Sequence, residues 1–400
     1  MIFLLLSSLQ AEEYSFSAVP NSWITNIEET ESTFFLGGKI SDSIGRPAHA
    51  WLAAWNEELQ WQFQAKEGTD LQEIIHTEDQ LLLCGNWRSQ GLSYPWIARV
   101  DLNGNLLSEE IFEDYPNGLC TDITETDLGW VAVFFQTQES QSHSFFLKFD
   151  SDATLVSTVQ FPIPSELMAI EEKDSSFFLA GYTARTQEDN NGIVALVDPN
   201  FSVVWMEELG GSENDKLKNL SLSEQGIISC GYTMSNGAEN WDIWMLEYSW
   251  SGEEIWSYQW GGAHLDGCKD IEEAPDGRFH FIGDTQSFDA EEWDILSGIF
   301  DPNTQTIEYE IRGGSFDDYG YDISFTEEEK ITAGVHQDEG IFAAWLRMEQ
   351  LPLQEEELDT TERTEEEKQG CSSNSQALLL PLALLARRRK RHCKEIKPKY

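Results

Sequence analysis

Residues 210–219 read GGSENDKLKN, residues 261–270 read GGAHLDGCKD, and residues 313–322 read GGSFDDYGYD. In each, an Asp (Asp215, Asp266, Asp318) lies four places after the second glycine, and four further on comes Asn219, Asp270 or Asp322. Three copies of one spacing, about fifty residues apart, identify a structural repeat. Working outward, an apolar strand ends at Gly37, Gly85, Phe135, Gly181, Gly231, Gly283 and Gly334. A second strand ends at Asn56, Asp101, Asp150, Asp198, Ser249, Asp301 and Glu349, after runs such as WIARV (96–100) and FFLKF (145–149). Turn signals follow several of these, including Asn103-Gly104, Pro199-Asn200, Ser251-Gly252 and Pro302-Asn303, as hairpins between short antiparallel strands require.

Four short strands per repeat, seven times over, suit a radial array better than a linear stack, because a ring leaves few sheet edges open. The spacing therefore predicts an all-β fold, a seven-bladed β-propeller of four-stranded antiparallel blades spanning residues 12–350. The last copy supplies strands at residues 319–324, 330–335 and 341–347 and then stops short of a fourth. A spare strand at residues 14–19 (YSFSAV) precedes the first copy and is expected to complete the last blade, closing the ring.

Composition agrees that this body folds: 40% of residues are hydrophobic, 12% are aromatic and 15 are Trp, enough to fill a core. A formal net charge of −47 repels phosphate, which excludes nucleic acid and anionic membrane surfaces as partners of the body. Such a surface serves solubility or life in a saline medium, or it attracts cations.

The ends differ from the body. Residues 1–11 (MIFLLLSSLQA) join a short apolar run to small residues, the pattern of a secretory signal. Residues 351–370 contain the stretch QEEELDTTERTEEEKQ, too charged and too poor in apolar groups to bury anything, and read as an acidic disordered linker. In residues 371–400, Cys371 precedes a Ser-rich spacer, the apolar run ALLLPLALLA and a cluster of arginines.

The GG-x-x-x-D spacing, the Gly-Tyr-Thr at 181–183 and 231–233, and the strand-ending Asp resemble the repeats of secreted bacterial seven-bladed propellers of the SBBP type. The tail resembles the MYXO-CTERM type of C-terminal sorting signal. In such a tail the apolar run sits in the membrane and the arginines stay cytoplasmic. Together these resemblances imply an exported protein of the bacterial cell surface or outer membrane, with Cys371 as its sorting and anchoring residue and the membrane reached through the tail. They transfer no catalytic residue.

Cysteine placement carries a local inference. Cys84 and Cys230 occupy one repeat position, and Cys120 and Cys268 another, each pair joining copy n to copy n+1. Cys84–Cys120 and Cys230–Cys268 are therefore candidate disulfides, which an exported protein would allow. Four buried thiols filling apolar slots fit the same placement.

The histidines show no zinc spacing, and no nucleophile elbow, phosphate loop or H-E-x-x-H string occurs. No cofactor is expected, unless the recurring Asp residues hold Ca²⁺; their regularity favours turn capping or hydrogen bonds between blades. The tryptophans Trp241, Trp244, Trp250, Trp256 and Trp260 suit an inter-blade core or a sugar-binding platform. The expected function is a surface-anchored, non-catalytic binding or adhesion module for a protein or glycan. A secreted hydrolase or lyase acting on polysaccharide at the channel, and a structural spacer, are the competing expectations.

Overall fold

The computed structural model describes residues 11–351, except 17–20, 31–32, 42–47, 57, 185–188, 239, 327–328 and 339–340. The expected leader up to residue 10, most of the linker and the whole tail with Cys371 lie outside the described residues. Within them the chain is all-β, built from antiparallel sheets.

After β1 (Ala11–Ser15), the first sheet comprises β2 (Ser22–Glu29), β3 (Phe34–Ile40), β4 (His49–Asn56) and β5 (Glu58–Gln64). The second comprises β6 (Thr69–His76), β7 (Gln80–Ser89), β8 (Leu92–Asp101) and β9 (Leu106–Ile111). A continuous seven-strand run follows: β10 (Gly118–Thr126), β11 (Gly129–Gln138), β12 (Gln141–Asp150), β13 (Leu155–Lys173), β14 (Ser176–Thr183), β15 (Gly192–Val197) and β16 (Val203–Leu209). Its middle strand, β13, changes partner along its length. Residues 155–164 pair with β12, and residues 165–173 pair with β14. Two further sheets are β17 (Asp215–Leu222), β18 (Gly226–Thr233), β19 (Asp242–Ser249), β20 (Glu254–Trp260), and β21 (Asp266–Glu273), β22 (Phe279–Thr285), β23 (Asp294–Asp301), β24 (Thr306–Arg312). The last sheet joins β25 (Tyr319–Phe325), β26 (Glu329–Asp338) and β27 (Ile341–Gln350) to β1.

β1 runs antiparallel to β27, with Tyr14 opposite Leu346. β1 takes in the first residues of the strand expected at 14–19, of which 17–19 lie outside the described residues, and Ala11, read as the end of a leader, begins β1. The pleat explains the choice. Tyr14 and Phe16 fall on one face, where both rings meet Trp55 edge-on at 5.2 Å, and the Phe16 N–H donates to the Ala344 carbonyl at 2.9 Å.

The core consists of separate apolar layers between consecutive sheets. One holds Leu52 of β4 against Leu83 and Trp96 of the second sheet; another holds Leu246 of β19 against Phe178 of β14. A layer of the same kind packs Ile24 and Trp51 of the first sheet against Ile331 and Leu346 of the last. This arrangement explains the unbroken apolar runs in the second strand of each sheet. In β18, Ile227 points into one layer and Ile228 into the next, so both faces of the strand are buried. Each such side chain contributes about 1.5–3 kcal/mol.

The first strand of every repeat faces inward and carries one extra residue. The register slips between Leu217 and Asn219, and at the equivalent place in β2, β6, β10, β13, β21 and β25. These inner strands touch in order, β2 to β6, then β10, β13, β17, β21 and β25, and β25 in turn touches β2. The strand-ending glycine sits opposite the slip. A Cβ at Gly231 would lie 1.9 Å from the Lys216 carbonyl oxygen.

Two repeat markers shift by one residue. In the first sheet the equivalent of Gly231 is Gly38, opposite Ile24, and not Gly37; a Cβ there would lie 1.9 Å from the Trp23 oxygen. In the third copy it is Phe134, opposite Cys120, and not Phe135. Phe134 is fully buried and stacks on Phe145 at 5.0 Å. Replacing Gly231 with Ala forces the bulged strand away from its neighbour, and a loss of about 1–3 kcal/mol, read from the urea midpoint at unchanged slope, is expected.

Candidate functional site

The inner strands enclose a cavity of about 710 Å³. Its chemistry follows from the bulge, which decides which side chains turn inward. The bulge residues themselves are Thr25, Gln72, Thr121, Met168, Lys218, Lys269 and Tyr321, and all line the cavity. The next residue in each strand is Asn26, Glu73, Asp122, Ala169, Asn219, Asp270 or Asp322.

This second row joins neighbouring sheets. An inner strand is an edge strand, and its outer row of N–H and C=O groups lacks ladder partners. Asp122 accepts the Ile170 N–H at 2.7 Å, Asp270 accepts that of Ile323 at 2.8 Å, and Asp322 accepts that of Ile27. Asn26 completes the pattern by donating to the Gln72 carbonyl at 2.9 Å. Each bond crosses from one repeat to another.

The GG-x-x-x-D residues cap turns. Asp215 accepts the Gly211 N–H and the Ser235 hydroxyl, each at 2.8 Å, and Asp266 does the same with Gly262 and Ser287 at 2.7 and 2.9 Å. Asp318 instead accepts from the Gln337 N–H at 2.9 Å and faces His336 at 3.1 Å. The strand-ending Asp101 and Asp198 fold the following turns by accepting two backbone N–H groups apiece. Among the described residues, no three His, Cys, Asp or Glu side chains converge as metal ligands.

Deeper in the cavity the acids crowd together. Burial pushes Glu28 and Asp122 up to about 7, and burial together with the Asp122 and Glu28 carboxylates pushes Glu171 up to about 8. Glu73, Glu272 and Asp322 are driven well above the usual carboxylate range by burial and by neighbouring carboxylates. Lysines stand among the residues nearer the start of the inner strands. Lys269 pairs with Asp284 at 2.6 Å and lies 4.0 Å from the centre of the Tyr321 ring, while Lys39 pairs with Asp70 at 3.6 Å. Trp241 also lines the cavity and stacks on Tyr232 at 4.4 Å.

The other sequence candidates lie elsewhere. Trp244 belongs to an inter-sheet core, with Trp250, Trp256 and Trp260 packed against such cores, so of the five tryptophans considered only Trp241 lines this cavity. Cys230 and Cys268 are disulfide-bonded, with Cα atoms 5.7 Å apart. Cys84 and Cys120 are free thiols in the matching position, both buried. Burial and the hydrogen bond with Cys120 push the Cys84 thiol up, which withholds the thiolate that disulfide formation needs. In a second recess, lined by Ser142, Glu166 and Tyr182 among others, Glu166 accepts from the Ser142 and Tyr182 hydroxyls. Sequence reasoning missed Lys39, Lys218, Lys269 and the deep glutamates. Aligning the seven inner strands on the residue after the apolar position would have exposed Lys218 and Lys269, but not Lys39, which lies on β3.

No family model matches the chain, and no curated protein matches it. Among solved structures it is similar to Sqt1 from Chaetomium thermophilum (12% identity, 81% of this chain and 83% of that one, TM-score 0.46). It is similar to Drosophila Semaphorin 2a (6%, 84% and 74%, 0.48) and to the beta-propeller domain of the Trilobed protease from Pyrococcus furiosus (10%, 81% and 93%, 0.43).

The raised acids make stability depend on pH. In the unfolded chain these carboxyls ionise near 4.5, so through neutrality the folded state binds more protons than the unfolded one. Stability therefore falls as pH rises. His280, held down to about 4 by burial, works in the opposite sense only at lower pH. Between about pH 6.5 and about pH 8 the unfolding free energy is expected to drop by on the order of 1–2 kcal/mol, and Glu171→Gln to reduce that drop, both measured by urea denaturation.

Proposed function

We propose that the chain is a seven-bladed β-propeller, closed by β1, that acts at the cell surface as a non-catalytic binding module with its ligand at one mouth of the central channel. Dividing β13 between two sheets gives seven four-stranded units. The contact of β25 with β2, the Asp322 bond to Ile27 and the pairing of β1 with β27 support closure of the ring. Particle images with other than seven lobes would overturn it.

The observation that carries the functional reading is the division of labour around the channel. The aspartates that recur from repeat to repeat are occupied in capping and stapling, while the lysines and tryptophans that line the cavity occur in only some of the repeats. A catalytic site needs an acid or base left free to act. The recurring aspartates already accept hydrogen bonds from the fold and so support binding, while Glu171 and Glu272, raised by burial in the same cavity, would be the acids of the competing hydrolase or lyase.

The ligand class under this reading is a protein or glycan, and the chain reaches its membrane through the tail, with Cys371 as the anchor. A glycan array run beside a panel of chromogenic glycosides tests it. Retention of particular glycans without turnover is expected; turnover abolished by one channel carboxylate substitution would establish the enzyme instead. Export is supported by the Cys230–Cys268 bond, since such bonds persist in oxidising compartments. Non-reducing peptide mapping of protein isolated from its cells should recover that crosslink with Cys84 and Cys120 alkylated, and four alkylated body cysteines would refute it.

A further inference from the structure

The geometry points to the channel mouth as a site for an acidic sugar, whose carboxylate or sulfate is held by Lys218 and whose ring rests on Trp241. This rests on the binding-module reading and names the ligand class for the same site.

The charge distribution is the first ground. In a chain of net charge −47, Lys39, Lys218 and Lys269 line one cavity, and Lys216, two residues before Lys218, lines the second recess beside Glu166. The Lys218 ammonium is repelled by Lys216 and Lys269 and attracted by the Glu166 carboxylate. The lysines stand on the neighbouring units of β17 and β21 and, past Tyr319 and Tyr321 of the β25 unit, on the unit of β2.

Lys218 is the second ground. Lys39 and Lys269 have carboxylate partners, whereas Lys218 makes no hydrogen bond or ion pair with the described residues; its ammonium lies 5.2 Å from the Tyr182 ring centre, with the Glu166 carboxylate acting on it from beyond ion-pair distance. Drawing an ammonium group out of water with no acceptor costs stability. The fold does not require it, since the same bulge position holds Thr25, Gln72, Thr121 or Met168 in other repeats. An unpaired cation at a position that tolerates neutral side chains is accounted for by an anion arriving from outside.

Aromatic faces select a sugar over a simple anion. Trp241 lies on Tyr232, and Tyr232 stands opposite Lys216, two residues from Lys218. Trp293, at the equivalent place in the next repeat, lines the same cavity. Sugar rings stack on such faces, and a cavity of about 710 Å³ is of a size that takes a small ligand. Long polyphosphates are disfavoured, because beyond about one Debye length they meet the acidic exterior.

Calorimetric titration of the intact protein with short oligogalacturonates, a sulfated chondroitin disaccharide and neutral maltooligosaccharides tests the assignment. Binding of an acidic sugar but not the neutral one is expected, the two acidic probes separating carboxylate from sulfate. Lys218→Met should weaken binding about tenfold or more while leaving the melting temperature equal or higher, because it removes a half-buried charge that has no ion-pair partner among the described residues. Trp241→Ala is the second variant and should also weaken it. Equal binding of neutral sugars, undiminished affinity in Lys218→Met, or no binding of either acidic probe overturns the acidic-sugar assignment. Retention of some other ligand on the array in those cases leaves the binding-module reading standing, and turnover or an empty array removes that reading as well.

Discussion

Each inner strand is paired along one edge only, and the whole arrangement depends on how its other edge is satisfied. One extra residue per strand supplies the answer. The bulge kinks the strand and turns the following side chain toward the next sheet, where a carboxylate such as Asp122 or Asp270 accepts an N–H that the ladder leaves free. The glycine opposite, Gly231 in the fifth repeat, is part of the same device: the kinked backbone comes so close that no Cβ fits. Packing then follows, because sheets stapled at their inner edges can bury both faces of their second strands in neighbouring layers.

The device has an electrostatic consequence. Stapling by Asp122, Asp270 and Asp322 sets acids around one cavity, where neighbouring carboxylates raise Glu73 and Asp322. Bulge residues one step away escape this duty and vary freely. Lys218, Lys269 and Tyr321 stand there in three successive repeats, so a single structural feature places both the stapling acids and these cavity-lining side chains.

Much of the architecture was legible because repetition multiplies weak local signals. The strand markers in later copies fall at their predicted places, and the recurring acids do the capping and stapling that their regularity suggested. Where one copy departs from the rest, the reading slipped. Gly37 and Gly38 are adjacent, and only the pairing of Ile24 with Gly38 distinguishes them. Phe134 and Phe135 pose the same problem, because alternation between two buried faces leaves no polar residue to set the phase. The strand at the N-terminus was recognisable as a spare, but its bounds depended on which aromatic residues could reach Trp55.

The amino-acid sequence by itself determined that this protein is a repeating all-β chain, since short-range spacing and turn chemistry specify strands and their period. It also ranked the recurring aspartates as structural, because symmetry argues against a unique active group. Tertiary structure alone decided that Cys230 meets Cys268 as a disulfide while Cys84 and Cys120 remain thiols, a matter of local geometry and burial that spacing does not encode. It also gathered Lys39, Lys218 and Lys269, spread over more than two hundred residues of chain, beside one cavity. Charges that distant in sequence interact only after the sheets have packed, so their proximity belongs to the folded molecule and not to any segment of it.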